Sequence, residues 1–134
     1  MLAQAPYNDV LLLLARILLA ALFVSTGWEK LTNFAGTAVY MKTLKAPAPV
    51  IAAAIAVFME FFVGIAIILG ILTRLLALAF ALFTLSTALL GHRFWTMDGA
   101  IREENRINFL KNMSIIGGFL LLALTGSGRF AIWP

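Results

Sequence analysis

Four runs of apolar residues, each about long enough to cross a bilayer, dominate this sequence and restrict it to a helical membrane fold. The first, from Val10 to Leu31, reads VLLLLARILLAALFVSTGWEKL. The others cover about 50–70, 75–91 and 108–125. At 1.5 Å of rise per residue, roughly 20 residues match the hydrocarbon thickness. Lipid offers the backbone no hydrogen-bond partners, so a chain crossing it as runs of this length must satisfy its amides within each run, as α-helices. Composition agrees, because 63% of the 134 residues are hydrophobic and only 12% charged, about half the charge of an average soluble domain. The expected fold is an all-α polytopic membrane protein, a four-transmembrane-helix bundle forming one domain over 1–134.

Local signals set the boundaries. Met1 to Asp9 carries no Lys or Arg, so the first run reads as a retained anchor and not as a cleaved signal peptide. Ala46-Pro47-Ala48-Pro49 marks the start of the second span, since proline is tolerated in a first turn but disfavours helix in the residue before it. Gly70 to Arg74 is too short for anything but a tight antiparallel connection between spans two and three. Gly126-Ser127-Gly128 suits the end of the fourth.

Between spans one and two, Phe34, Ala38, Met41 and Leu44 recur at three- or four-residue spacing, with Lys42 and Lys45 off that stripe. This predicts a short interfacial helix. In the linker before span four, Phe94 and Trp95 suit the interface, and Asp98 is placed to cap a helix. Lys30, Lys42, Lys45, Arg93, Arg102, Arg106 and Lys111 gather on the side of the two long linkers. Arg74 and Arg129 fall on the other side, with Arg16 just inside it. The positive-inside rule then puts the linkers in the cytoplasm and both termini outside.

Several chemistries are excluded. The chain has no cysteine, so it supplies no disulfide, thiolate metal site or iron–sulfur ligand. With one histidine it cannot bracket a haem or share a zinc between two imidazoles. No metal site and no covalently bound cofactor are expected. The net charge of +4 comes without the basic and aromatic interleaving of a nucleic-acid surface.

Charge inside a span is costly, so Arg16 and Glu60 stand out as a candidate buried cluster. Measured from the outer face, Arg16 lies six positions into span one and Glu60 about ten into span two. Their depths then differ by about 6 Å, within reach of an arginine. Such a pair would either fix the packing of the two helices or line a pocket, with Glu60 holding a proton and Arg16 an anionic or carbonyl oxygen. Toward the linker side lie Glu29, Lys30, His92 and Asn112, the last sharing a helix face with Asn108. Lys30 shares a face with Arg16 through Phe23 and Gly27. His92 reads either as an interfacial histidine or as part of the site. Thr84, Thr87 and Gly91 form a stripe of small residues that allows close helix approach.

Taken in order, these segments resemble the DoxX family of small bacterial inner-membrane proteins. The likeness lies in Arg16 to Lys30 (RILLAALFVSTGWEK), Glu60-Phe61-Phe62-Val63-Gly64, Gly70-Ile71-Leu72-Thr73, Gly91 to Trp95, Asn108 to Asn112, and Gly126 to Phe130. The resemblance implies a four-helix membrane bundle linked to quinone-dependent oxidation or to oxidative and thiol stress. It therefore implies a membrane subunit or accessory component of an oxidoreductase, with a quinone-like lipophilic ligand between the helices. Two other readings follow from the residues: a small transporter or proton-conducting channel using Glu60, and a scaffold docking soluble redox partners through Arg102, Arg106 and Lys111. Its partners would be the bilayer, a lipophilic small molecule, soluble redox proteins and further copies of itself, with no nucleic acid.

Overall fold

The computed structural model describes residues 6–134, which include the whole of the expected first span. Four helices are long and apolar enough to cross a membrane. Helix α1 runs Pro6–Thr32, α2 Phe34–Thr43, α3 Pro49–Leu69, α4 Thr73–Gly91 and α5 Gly99–Thr125. The fold expected from the apolar runs is the one observed, with α2 as the short helix between the first two spans.

Local chemistry explains the ends. Pro49 occupies the first turn of α3, and Gly70 closes it at φ 77°, a left-handed conformation that glycine adopts without strain. Asp98 stands at the N-cap of α5 but its side chain makes no capping bond. Helix α5 therefore begins nine residues before the apolar run it contains, carrying Arg102 to Arg106 on a helical extension.

Helices pack as two antiparallel pairs, α1 against α3 and α4 against α5. The pairs meet on an aromatic core, where Phe23, Phe80 and Phe119 are at most 7% exposed. Phe80 stacks on Phe119 with centroids 4.8 Å apart, and Phe23 tilts onto Phe80 at 4.9 Å. Outward, Leu18, Leu82, Leu121 and Leu124 are 64–73% exposed. A surface this apolar belongs in hydrocarbon.

Helix α2 lies across one end with Met41 buried against Ala46, Ala53 and Ala56, flanked by Phe34, Ala38 and Leu44. Lys42 and Lys45 point away, as the stripe predicted. At the other end the tail returns along α1 and α3. Ile132 N–H donates to Leu69 O (3.0 Å), Leu72 N–H to Trp133 O (2.8 Å), and Arg129 N–H to Asp9 Oδ1 (2.9 Å).

Candidate functional site

Helix α3 is not α-helical throughout, for Phe58–Val63 forms a π-helical turn. Such wide turns loosen the backbone ladder and recur at functional sites. Glu60 sits in this turn and is 6% exposed. Facing it on α1 is Gly27, whose absent side chain sets the closest approach of the two helices. A Cβ there would stand 2.5 Å from the Phe61 nitrogen and 2.8 Å from the Glu60 carbonyl carbon.

On either side of Gly27, α1 supplies the partners of Glu60. Lys30 Nζ donates to Glu60 Oε1 at 2.9 Å, and the Thr26 hydroxyl donates to the same oxygen at 2.6 Å. Both donors share one carboxylate oxygen, so the side chains of a lysine and a glutamate meet in an otherwise apolar setting. Among the described residues, Oε2 has no protein partner.

The pair borders a cavity of about 220 Å³ enclosed by all four spans and α2. Phe23, Leu44, Phe83 and Leu90 form apolar wall, while Lys30, Glu60, Thr87, His92 and Asn112 bring polar groups. His92 follows the end of α4, and its Nδ1 lies 2.9 Å from Asn105 Oδ1. Asn105 Nδ2 donates to Ile101 O at 2.9 Å, which fixes the amide with its oxygen toward the ring. With the amide so placed, His92 Nδ1 would be the donor of this contact, and the ring lies in the cavity wall.

Two neighbouring spaces adjoin it. A lipid-side groove of about 430 Å³ between α3 and α4 shares Met41, Ala56, Phe83, Thr87 and Leu90 with the cavity. On the other side of Lys30, a vestibule of about 280 Å³ between α1 and α2 shares Thr26, Lys30 and Tyr40 with it. A further depression of about 460 Å³, on the α1–α5 seam, is almost wholly apolar and carries no ionisable group.

Of the residues singled out in the sequence, Lys30, Glu60, His92 and Asn112 thus meet at one cavity. Glu29 is exposed and borders only the vestibule. Thr84 lies in the core while Thr87 and Gly91, of the same stripe, line the cavity. Thr26 and Tyr40 were not foreseen. Thr26 had a usable signal, since it stands one turn before Lys30 on the same face of α1.

The pairing of Arg16 with Glu60 that depth allowed does not occur. Helix α1 extends well beyond the Gly70 end of α3, so Arg16 lies level with Gly70 while Gly27 lies level with Glu60. Arg16 is fully buried, donates from Nη2 to Phe130 O, and leaves Nε and Nη1 without partners. The tail, and not a carboxylate, meets its charge.

Among the described residues, no group of three His, Asp or Glu side chains could share a metal ion.

Comparison with known proteins gives a consistent assignment. The chain matches the DoxX family model over residues 11–93, a stretch that contains Lys30, Glu60 and His92. It is 50% identical over 125 residues to inner membrane protein YphA of Escherichia coli strain K12, covering 93% of this chain and 89% of that protein. It is 44% identical to inner membrane protein YqjF of the same organism, covering 93% and 91%. No solved structure matches.

Proposed function

Because this chain belongs to the DoxX family, we propose that it is a multi-pass inner-membrane component of a quinone-linked oxidoreductase system, holding a quinone-like ligand in the cavity beside Lys30 and Glu60. The observation that carries this reading is an ion pair set in the wall of a largely apolar cavity that adjoins a lipid-side groove. Quinones need that combination: an apolar slot for ring and tail, and a few polar groups for the ring oxygens.

Size supports a division of the ligand. The cavity is smaller than a typical whole-ligand site, so it would take the ring, and the neighbouring groove would take the tail. Lys30 would donate to a ring oxygen without leaving Glu60, since an ammonium has three hydrogens. His92 would offer a ring nitrogen to the ligand, and Asn112 can donate or accept. Phe23 and Phe83 would exclude water from the ring. A quinone, when bound, supplies two-electron, two-proton chemistry, and the electrons would come from a soluble redox partner, because this chain has no thiol.

The basic residues of the long linkers favour a cytoplasmic position for α2 and the start of α5, which would present the cavity mouth to that compartment. Organic extraction of protein purified gently from its membrane tests the ligand. Wild type should retain quinone near one per chain, and Lys30→Met and Glu60→Gln should lose most of it. No quinone at any ratio, together with no binding of a short-chain ubiquinone analogue, would remove this reading.

A further inference from the structure

The ion pair has two unlike neighbours. Glu60 borders the cavity and not the vestibule, whereas Thr26 and Lys30 border both. The exposures follow the same division, for the Lys30 side chain is 27% exposed and that of Glu60 is 8%. Both bridging residues donate to one oxygen of Glu60, at 2.9 and 2.6 Å. On its open side the vestibule is polar, with Glu29, Asn33 and Tyr40 at its rim.

We propose that the vestibule is the aqueous route by which protons reach Glu60, entering the cavity at the junction where Lys30 and Thr26 stand between the two spaces. Water fits this vestibule because several hydroxyl, amide and charged groups offer it hydrogen bonds, and a buried water needs two to four of them. The lipid-side groove shares no charged group with the cavity, so it offers protons no comparable path. Charged and titratable groups around Glu60 are Lys30 and Glu29 from α1, Tyr40 from α2, and His92 beyond α4. Of these, Lys30 alone bonds to it. The route gives a ligand in the cavity a proton source separate from the opening through which a lipophilic molecule would enter. It deepens the reading of the cavity as a ligand site, yet its test needs no quinone.

The absence of native cysteine makes the test clean. Replacing Lys30 by Met removes the counter-ion, so Glu60 should take up a proton and show a carboxylic C=O infrared band that is missing from the Lys30→Met, Glu60→Gln protein. In nanodiscs, transfer to D2O shifts this band as the proton exchanges. A bulky maleimide attached at Asn33→Cys in the vestibule should slow that exchange by about tenfold or more, as expected when water loses its path to a buried group. The same label at Ile55→Cys, in the lipid-side groove, should leave it unchanged. Equal exchange with and without the vestibule label, or equal slowing by both labels, would overturn the proposal. If Lys30→Met does not fold, the same labels are read on Lys30→Gln, which removes the charge but keeps a hydrogen-bonding side chain beside Glu60. A vestibule effect without any bound quinone would keep the proton route and discard the ligand, and the converse result would do the reverse.

Discussion

Lys30 Nζ lies 2.9 Å from Glu60 Oε1, tying the linker-side end of the first span to the middle of the second where the two backbones come closest. Breaking a buried pair by removing one partner costs about 3–5 kcal/mol, whereas replacing both together is often nearly neutral. Lys30 is partly exposed, so the lower end of that range applies. Lys30→Met and Glu60→Gln should each destabilise by about 3 kcal/mol, and the double variant by less than the sum of the two. Unfolding in mixed micelles measures the cycle; simple additivity would mean that the pair contributes nothing as a pair.

Gly27 makes a sharper steric prediction. The atoms a Cβ would meet at 2.5–2.9 Å belong to the Glu60 and Phe61 backbone and the Glu60 Cβ, none of which can swing away. Gly27→Ala should cost about 1–3 kcal/mol by forcing the helices apart. Gly117→Ala is the control, since nothing lies within 4 Å of that position and alanine is the better helix former by about 1 kcal/mol. A stabilised Gly27→Ala protein would show that the helices do not meet there.

Arg16 holds the tail through the Phe130 carbonyl but carries two buried donors with no partner. Arg16→Met keeps most of the volume and removes a desolvated charge, so global stability should stay within about 1 kcal/mol or rise. The tail should loosen all the same. Hydrogen exchange at the Ile132 amide, bonded to Leu69 O, should quicken in Arg16→Met, and unchanged protection there would show that the guanidinium does not anchor the tail.

Arg74 closes the last turn of α5 from the neighbouring span. Its Nη1 donates to Leu124 O at 2.7 Å and its Nη2 to Thr125 O at 3.3 Å, where the carbonyls have no helical partner. Arg74→Ala should cost about 1–2 kcal/mol, combining the lost bonds with the lost cation at a helix C-terminus. Faster exchange at Gly126 N–H, with the centre of α5 unaffected, is the expected signature.

What the sequence revealed depended on how local the signal was. Spans, Pro49, Gly70, Gly126 and the inward stripe of α2 are each decided by neighbouring residues, and all could be read directly. The partner of Glu60 could not. Aligning Val10 with Gly70 brought Arg16 within reach of Glu60, but Arg16 itself abuts Gly70, an offset of about six residues or about 9 Å. That offset is set by the tail filling the space beyond α3, which no pattern within α1 encodes. Nor does FMEFFV advertise a π-helical turn, since its residues serve equally in an α-helix. Lys30, His92 and Asn112 were found as separate polar residues near one membrane face, and their meeting at a cavity required the packing of all four spans.

The contact between Arg16 and Phe130 spans 114 residues of chain. During synthesis, the first helix therefore enters the bilayer with a bare guanidinium at a depth where nothing yet answers it. Three more crossings must be made before the answering carbonyl emerges. In the interval the arginine can reach toward the lipid headgroups. Until the segment that follows the fourth helix is made, that guanidinium lacks the carbonyl it bonds in the finished fold.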